Sequence, residues 1–169
     1  LMYDKGQGVP QDYKEAVRLY RLSAERGYAQ AQYSLGVMYG TGQEVPQDYK
    51  EAVKWFRLAA EQRHASAQFN LGVTYHGGLG VKQDHKEAAK WYQLAAGQGN
   101  AQAQGVLGLM YHFGDGVPKD YVLAHMWINL AASNGEEDAI EKRNMVEKEM
   151  TPQQIEKAQE MARNWKPKK

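Results

Sequence analysis

The sequence predicts an all-α solenoid of stacked helix pairs, and three observations carry that expectation. The segment Gly42-Gln43-Glu44-Val45-Pro46-Gln47-Asp48-Tyr49-Lys50-Glu51-Ala52 has near-copies that begin at Gly6, Gly78 and Gly114, each 36 residues from the next. A second set, Ala29, Ala31, Leu35, Gly36 and Tyr39, returns at Ala65, Ala67, Leu71, Gly72 and Tyr75, then at Ala101, Ala103, Leu107, Gly108 and Tyr111. A fixed period of this size marks a unit that cannot bury its apolar face alone, so neighbours stack. Within each unit the apolar residues also fall at offsets of three and four, which puts them on one face of a helix.

Taken in order, each unit opens with a short helix A carrying the Ala, Leu, Gly and Tyr set. Glycine in mid-helix costs about 1 kcal/mol against alanine, so Gly36, Gly72 and Gly108 imply a close approach of helix A to its partner. A loop follows, Gly-x-Gly-Val-Pro-x-Asp in units one and four, with Glu44 for the second glycine in unit two and Lys82 for the proline in unit three. Its glycines suit a turn with positive φ. The spacing, the lack of a following Lys-Ser or Lys-Thr and the lack of a preceding strand exclude a nucleotide-phosphate loop.

Asp12, Asp48, Asp84 and Asp120 each open a second helix, B, and Glu15, Glu51 and Glu87 follow three residues on, which predicts capping boxes in the first three units. Leu123 takes the glutamate's place in the fourth. Helix B presents Ala52, Trp55, Phe56, Ala59 and Ala60, then Ala88, Trp91, Tyr92, Ala95 and Ala96, then Ala124, Trp127, Ile128, Ala131 and Ala132. The tryptophans beside paired alanines are expected in the core rather than as stacking platforms for sugars or bases. Gly27, Gly99 and Gly135 end helix B, and Arg63 stands in their place in unit two, where a left-handed residue strains the backbone.

The balance of 21 basic and 20 acidic residues, a net charge of +1, gives no general attraction to nucleic acid or a membrane surface. No apolar run reaches the roughly 18 residues of a membrane span. The absence of cysteine excludes disulfides and thiolate metal sites and fits either side of a membrane. Leu1-Met2-Tyr3 aligns with Val37-Met38-Tyr39, so the chain is expected to open inside a helix A whose upstream part is missing. The apolar edge beside Ala16, Leu19 and Tyr20 then lacks a cover, which predicts self-association there.

The pattern Ala-x-Ala-x-x-x-Leu-Gly-x-x-Tyr, Gly-x-Gly-Val, Asp-x-x-x-Ala-x-x-Trp-Tyr-x-x-Ala-Ala-x-x-Gly resembles the Sel-one-like repeats, relatives of the tetratricopeptide repeats with a longer inter-helix loop. The resemblance covers residues 1–135. It implies a right-handed superhelix of antiparallel pairs, helix A lining a concave binding face, and non-catalytic adaptors that in bacteria often act outside the cytoplasm. The repeat region is expected to fill residues 1–150. At 137–150 the helix A register continues, but Arg143, Asn144 and Glu147 replace Leu, Gly and Tyr, so this helix should face water more than its predecessors. Residues 151–169 then form a capping helix, started by Thr151-Pro152-Gln153-Gln154, whose Ile155, Ala158, Ala162 and Trp165 cover the last repeat's open edge, and a disordered basic tail.

Among the histidines only His76 and His112 share a repeat position. Helices pack about 10 Å apart, whereas zinc holds nitrogens at about 2.1 Å, and no third ligand stands nearby, so a solvated pair is expected and no metal. No Ser-His-acid or Cys-His set suggests catalysis, and no cofactor is implied. By the family's register the concave stripe comprises Gln30, Tyr33 and Val37, then Ser66, Phe69, Asn70, Val73 and His76, then Gln102, Leu109 and His112. Tyr33 and Phe69 are its sharpest features, either meeting a partner or packing on neighbouring A helices. Asn70 matches one position of the carboxylate clamp of some tetratricopeptide relatives, but Tyr33, Val37, Gln102 and Val106 hold the others, which argues against that mode. The expected function is a protein or peptide scaffold; a cell-wall or glycan-binding module, or a hydrolase of such ligands, are the alternatives.

Overall fold

The computed structural model describes residues 13–168, and among these the chain forms nine helices and no strand. They are α1 (Tyr13–Glu25), α2 (Ala29–Thr41), α3 (Tyr49–Glu61), α4 (Ala65–Gly77), α5 (His85–Gly97), α6 (Ala101–Phe113), α7 (Tyr121–Ser133), α8 (Ala139–Glu147) and α9 (Pro152–Asn164). The 36-residue period therefore yields helix A as α2, α4 and α6 and helix B as α1, α3, α5 and α7. Two compact units divide between residues 82 and 83, the first holding α1–α4 and the second α5–α9. Leu1-Met2-Tyr3, the Gly6 loop and Asp12 lie outside the described residues.

In the first unit α2 packs between α1 and α3, burying Ala24, Ala31, Leu35 and Trp55 with Tyr20, Met38 and Tyr39 against them. The mid-helix glycine has the reason its cost demands. A Cβ on Gly36 would stand 2.6 Å from Cδ1 of Phe56 in α3, and one on Gly108 would stand 2.5 Å from Cγ1 of Ile128 and 2.9 Å from the Ala124 carbonyl oxygen in α7. Gly40, four residues on, meets only the Ala52 Cβ at 3.7 Å. Gly36→Ala is therefore expected to destabilise by about 1–2 kcal/mol, because overpacking outweighs the gain in helix propensity. Gly40→Ala should be neutral or stabilising by about 0.5 kcal/mol. Urea unfolding of the pair checks the contrast, and equal effects would contradict the close approach.

Each B helix begins as its aspartate dictates. Asp48 accepts from the backbone N–H of Lys50 and Glu51 at 2.9 and 3.1 Å, Asp84 from Glu87 at 2.9 Å and Asp120 from Leu123 at 2.9 Å. At Asp48 and Asp84 the reciprocal half of the expected capping box does not form, while the Asp12 box lies outside the described residues. Asp48 already gives its own N–H to the Tyr39 carbonyl at 2.9 Å, and the glutamates turn to the next cation. Glu15 meets Arg18 at 2.6 Å, Glu51 meets Lys54 at 3.5 Å and Glu87 meets Lys90 at 2.7 Å. Only Thr151 and Gln154, at the start of α9, close a box in both directions among the described residues.

Arg63 adopts the left-handed conformation at φ 65°, and Glu44, which replaces a loop glycine, does so at φ 66°. Both keep the turn that glycine makes in the other copies, at the strain a Cβ brings there. Ala16 is fully buried, and Leu19 and Tyr20 are half-buried.

In the second unit α6 packs on α5 and α7, and α7 carries both terminal helices. Where α3 and α5 show water the row Lys50, Lys54, Leu58 and Lys86, Lys90, Leu94, α7 has Val122, Met126 and Leu130. This apolar row binds α9: Met126, Leu130, Ala158 and Ala162 form one buried cluster, flanked by Leu123, Trp127 and Trp165. The Trp127 and Trp165 rings meet edge to face at 6.2 Å. Part of the basic tail expected to be disordered, up to Lys168, is described. The Lys168 backbone N–H donates to the Gly97 carbonyl at 2.8 Å, which draws the chain back to the end of α5.

As expected, α8 faces water more than α2, α4 and α6, burying only Ala139 and Val146 and exposing Asn144, but Arg143 and Glu147 turn towards α7. His125, wholly buried in α7, meets Glu147 at 2.8 Å through Nε2, and Arg143 donates to Asn129 at 3.2 Å. Arg143 and Glu147 replace Leu and Tyr by facing a matching polar set on α7, while Ala139 and Val146 keep the apolar seam.

Candidate functional site

In the first unit, residues of α2 and α4 one repeat apart come together over α3. Val37, Gly40 and Thr41 at the end of α2 and Asn70, Val73 and Thr74 of α4 line a slot of about 160 Å³ over Phe56, with Tyr49 and Leu79 completing its wall. Phe56 is 5% exposed and Val73 37%, so the slot runs from core to solvent. Its hydroxyls all bond within the chain. Thr41 Oγ1 donates to the Val37 carbonyl at 2.9 Å, Thr74 Oγ1 donates to the Leu71 carbonyl at 2.8 Å, and the Tyr49 hydroxyl accepts from Gln47 at 3.1 Å. The Asn70 amide makes no hydrogen bond among the described residues.

Val37, Asn70 and Val73 are thus brought together by the register that selected them. Tyr33 is half-buried and committed: its ring stacks on that of His64 at 4.7 Å and 22°, and tilts against Phe56 at 6.1 Å. Gln30 is exposed, with its amide oxygen 3.1 Å from His64 Nε2. Ser66, Phe69 and His76 are half-buried. In the second unit Gln102 is exposed, while Leu109 packs partly onto the Ala124 and Ile128 cluster. His112 corrects the expectation of a solvated histidine: it is 8% exposed, edge-on to Phe113 at 4.6 Å and tilted to Tyr121 at 5.6 Å.

Two groups escaped the sequence reading. His64, which seemed to occupy an unrelated position, is the N-cap of α4 and accepts from the Ala67 N–H at Nδ1, 3.2 Å away. Its equivalent Asn100 does the same for Ala103 at 2.8 Å, so the N-cap preference for Asn was the available signal. With Nδ1 accepting, Nε2 carries the proton and donates to Gln30. The second group is buried glutamine. Gln32, Gln68 and Gln104 each donate at 3.1 Å to the carbonyl of Ala24, Ala60 and Ala96, at the end of the preceding B helix. Gln62 and Asn134 donate in turn to Gln32 and Gln104 at 2.8 Å. A glutamine that returns with every Ala-x-Ala motif on an apolar face was the unread clue.

Burial lowers the His64 pKa from 6.5, and the backbone bond opposes it. The unfolded chain therefore takes up the proton first as pH falls, so the cap's contribution is whole above pH 6.5 and is lost as pH drops through the lowered folded value. His64→Asn is expected to keep the cap and flatten this part of the stability curve relative to the parent. Parallel curves from pH 7.5 to about 5 would contradict the assignment.

The comparisons agree with this architecture. The Sel1 repeat model matches residues 1–28, 29–64, 65–100 and 101–136. A protective antigen of uropathogenic Escherichia coli with an SLR fold, c5321, is 40% identical, with a TM-score of 0.87 over 97% of this chain and 35% of its own. A Sel1 repeat protein from Oxalobacter formigenes is 40% identical with a TM-score of 0.76, over 82% of this chain and 57% of its own. Helicobacter pylori cysteine rich protein B is 26% identical with a TM-score of 0.62, over 80% of this chain and 98% of its own. This chain thus spans about a third of the first relative and over half of the second. No functionally curated sequence matches it.

Proposed function

Because this chain belongs to the Sel1 repeat family, whose members are commonly protein-interaction scaffolds, we propose that it is a non-catalytic adaptor holding a protein or peptide on its helix A face. The observation that carries this reading is the slot lined by Val37, Asn70 and Val73. Its volume of about 160 Å³ is well below the roughly 300–1,000 Å³ of small-molecule and cofactor sites. A glycan or free metabolite would bury too little of itself there. A macromolecule can seat one side chain and draw the rest of its contact from the surrounding helices.

The histidines nearest to catalytic chemistry are bound into the fold. His64 caps a helix, His85 pairs with Asp115, and His125 pairs with Glu147. That favours the scaffold over the hydrolase alternative. Immobilised chain should capture a reproducible set of proteins from an extract of the source cell. Val73→Lys, at a position already 37% exposed, should lose that set while keeping the parental circular dichroism and melting curve. Retention of the full set by the folded variant would contradict the reading, and capture of muropeptides without protein would favour the glycan alternative.

A further inference from the structure

We infer that Asn134 is a self-modification site: an asparagine that converts to aspartate or isoaspartate when the end of α7 opens, and that the folded chain holds unreacted. Asn134-Gly135 is the one Asn-Gly pair in the sequence. Glycine leaves its own N–H unshielded and its backbone free to turn, which the reaction requires. The Gly135 nitrogen attacks Cγ of Asn134, the Cγ–Nδ2 bond breaks, and Nδ2 leaves as ammonia with the proton that the Gly135 nitrogen gives up. Water then adds to either carbonyl of the five-membered imide and opens it to aspartate or isoaspartate. Asn134 and Gly135 are both exposed, so water reaches the site.

The fold restrains each atom of that step. Asn134 caps α7 at φ −97° and ψ 11°, which turns the Gly135 nitrogen towards Asn134's own backbone nitrogen and away from its side chain. The Gly135 N–H donates to the Ala132 carbonyl at 3.2 Å, and Nδ2 of Asn134 donates to Gln104 Oε1 at 2.8 Å. Attack therefore requires the end of α7 to unwind, and helix ends open locally at far lower cost than a whole domain. Once the reaction has run, the turn cannot close as before. Gln104 is fully buried and its Nε2 is committed to the Ala96 carbonyl, so its Oε1 needs a donor. A carboxylate at position 134 offers none and sets acceptor against acceptor, which leaves a buried oxygen unsatisfied. The equivalent Gln62 escapes this chemistry. It donates to Gln32 at the same 2.8 Å, but Arg63 follows it, and its longer side chain would have to close a six-membered ring.

The test is peptide mapping by mass spectrometry of the full chain, held at mildly alkaline pH in native buffer and in unfolding guanidinium chloride. Position 134 should gain the mass of an amide-to-acid exchange in both, at least about tenfold more slowly in native buffer. Asn144, exposed and followed by Met145, should stay intact over the same interval. Gln104→Met keeps the length and removes the acceptor, so it should raise the native rate and leave the unfolded rate unchanged. Asn134→Gln should keep the parental melting curve and stay unmodified, whereas Asn134→Asp, the product made directly, should melt below the parent. Equal rates in the folded and unfolded chain, reaction at Asn144 as fast as at Asn134, or a native rate that a folded Gln104→Met leaves unchanged would each overturn the inference. If Gln104→Met loses the parental circular dichroism, the melting of Asn134→Asp decides, and a parental curve there would overturn it too.

Discussion

Trp55→Ala is expected to lower the unfolding free energy by about 3–5 kcal/mol, a large part of the stability of a domain this size. Trp55 is 7% exposed and packs with Ala24 of α1 and Ala31 and Leu35 of α2, and it is the largest side chain of that cluster. Its indole Nε1 is buried without a hydrogen-bond partner, so the loss is one of packing and not of a bond. Trp55→Phe separates the two contributions. It keeps most of the packing and removes an unsatisfied donor, so its cost should stay below about 1.5 kcal/mol. Chemical denaturation of both variants checks the pair, and a comparable loss in each would show that the indole N–H matters after all. The equivalent Trp91 and Trp127 are only half-buried, and their alanine variants should cost less than Trp55→Ala.

Ending the chain at Met150 is expected to destabilise the second unit by about 3 kcal/mol or more. Met126 and Leu130, 6% and 7% exposed, would lose the cover of Ala158 and Ala162, and burial of each such side chain contributes roughly 1.5–3 kcal/mol. Freeing α9 returns some chain entropy, which keeps the net loss below the sum of its contacts. The truncated chain should also bind a hydrophobic dye through the row Val122, Met126 and Leu130, and Met126→Lys with Leu130→Glu should restore solubility without restoring stability. A truncation that melts like the parent and binds no dye would contradict the docking of α9 on α7.

The parts of this fold that were legible in the sequence are those set within one repeat. The period, the aspartate caps, the left-handed Arg63 and the close packing at Gly36 and Gly108 each depend on residues a few positions apart or on strict recurrence. The α9 cap was legible from its Thr151-Pro152 start and its Ala158, Ala162 and Trp165 face, whereas the seam of α8 on α7 resisted because its logic is one of paired departures. Arg143 and Glu147 look like surface residues until His125 and Asn129 are seen opposite them. Val122 and Met126 were the sign that α7 had a second partner, and they are visible only when the fourth helix B is compared with Lys86 and Lys90 of the third. The same holds for the candidate site. The register selected Val37, Asn70 and Val73, but the slot between them depends on the Phe56 floor and on the small Gly40, which no helix A pattern contains. His112 was misplaced because its neighbours Phe113 and Tyr121 are particular to the last repeat.

The central claim is that the helix A face of the first unit receives a protein partner, with its anchor at Val37 and Val73. The most direct test is methyl NMR of the chain bound to the partner it captures, read at those two valines and at Leu22 and Leu58 of the B helices, which are 40% and 38% exposed. The account predicts that the Val37 and Val73 signals move or broaden with the partner while Leu22 and Leu58 stay in place. Perturbation of Leu22 and Leu58 with unmoved valines would place the partner on the B helices and contradict it.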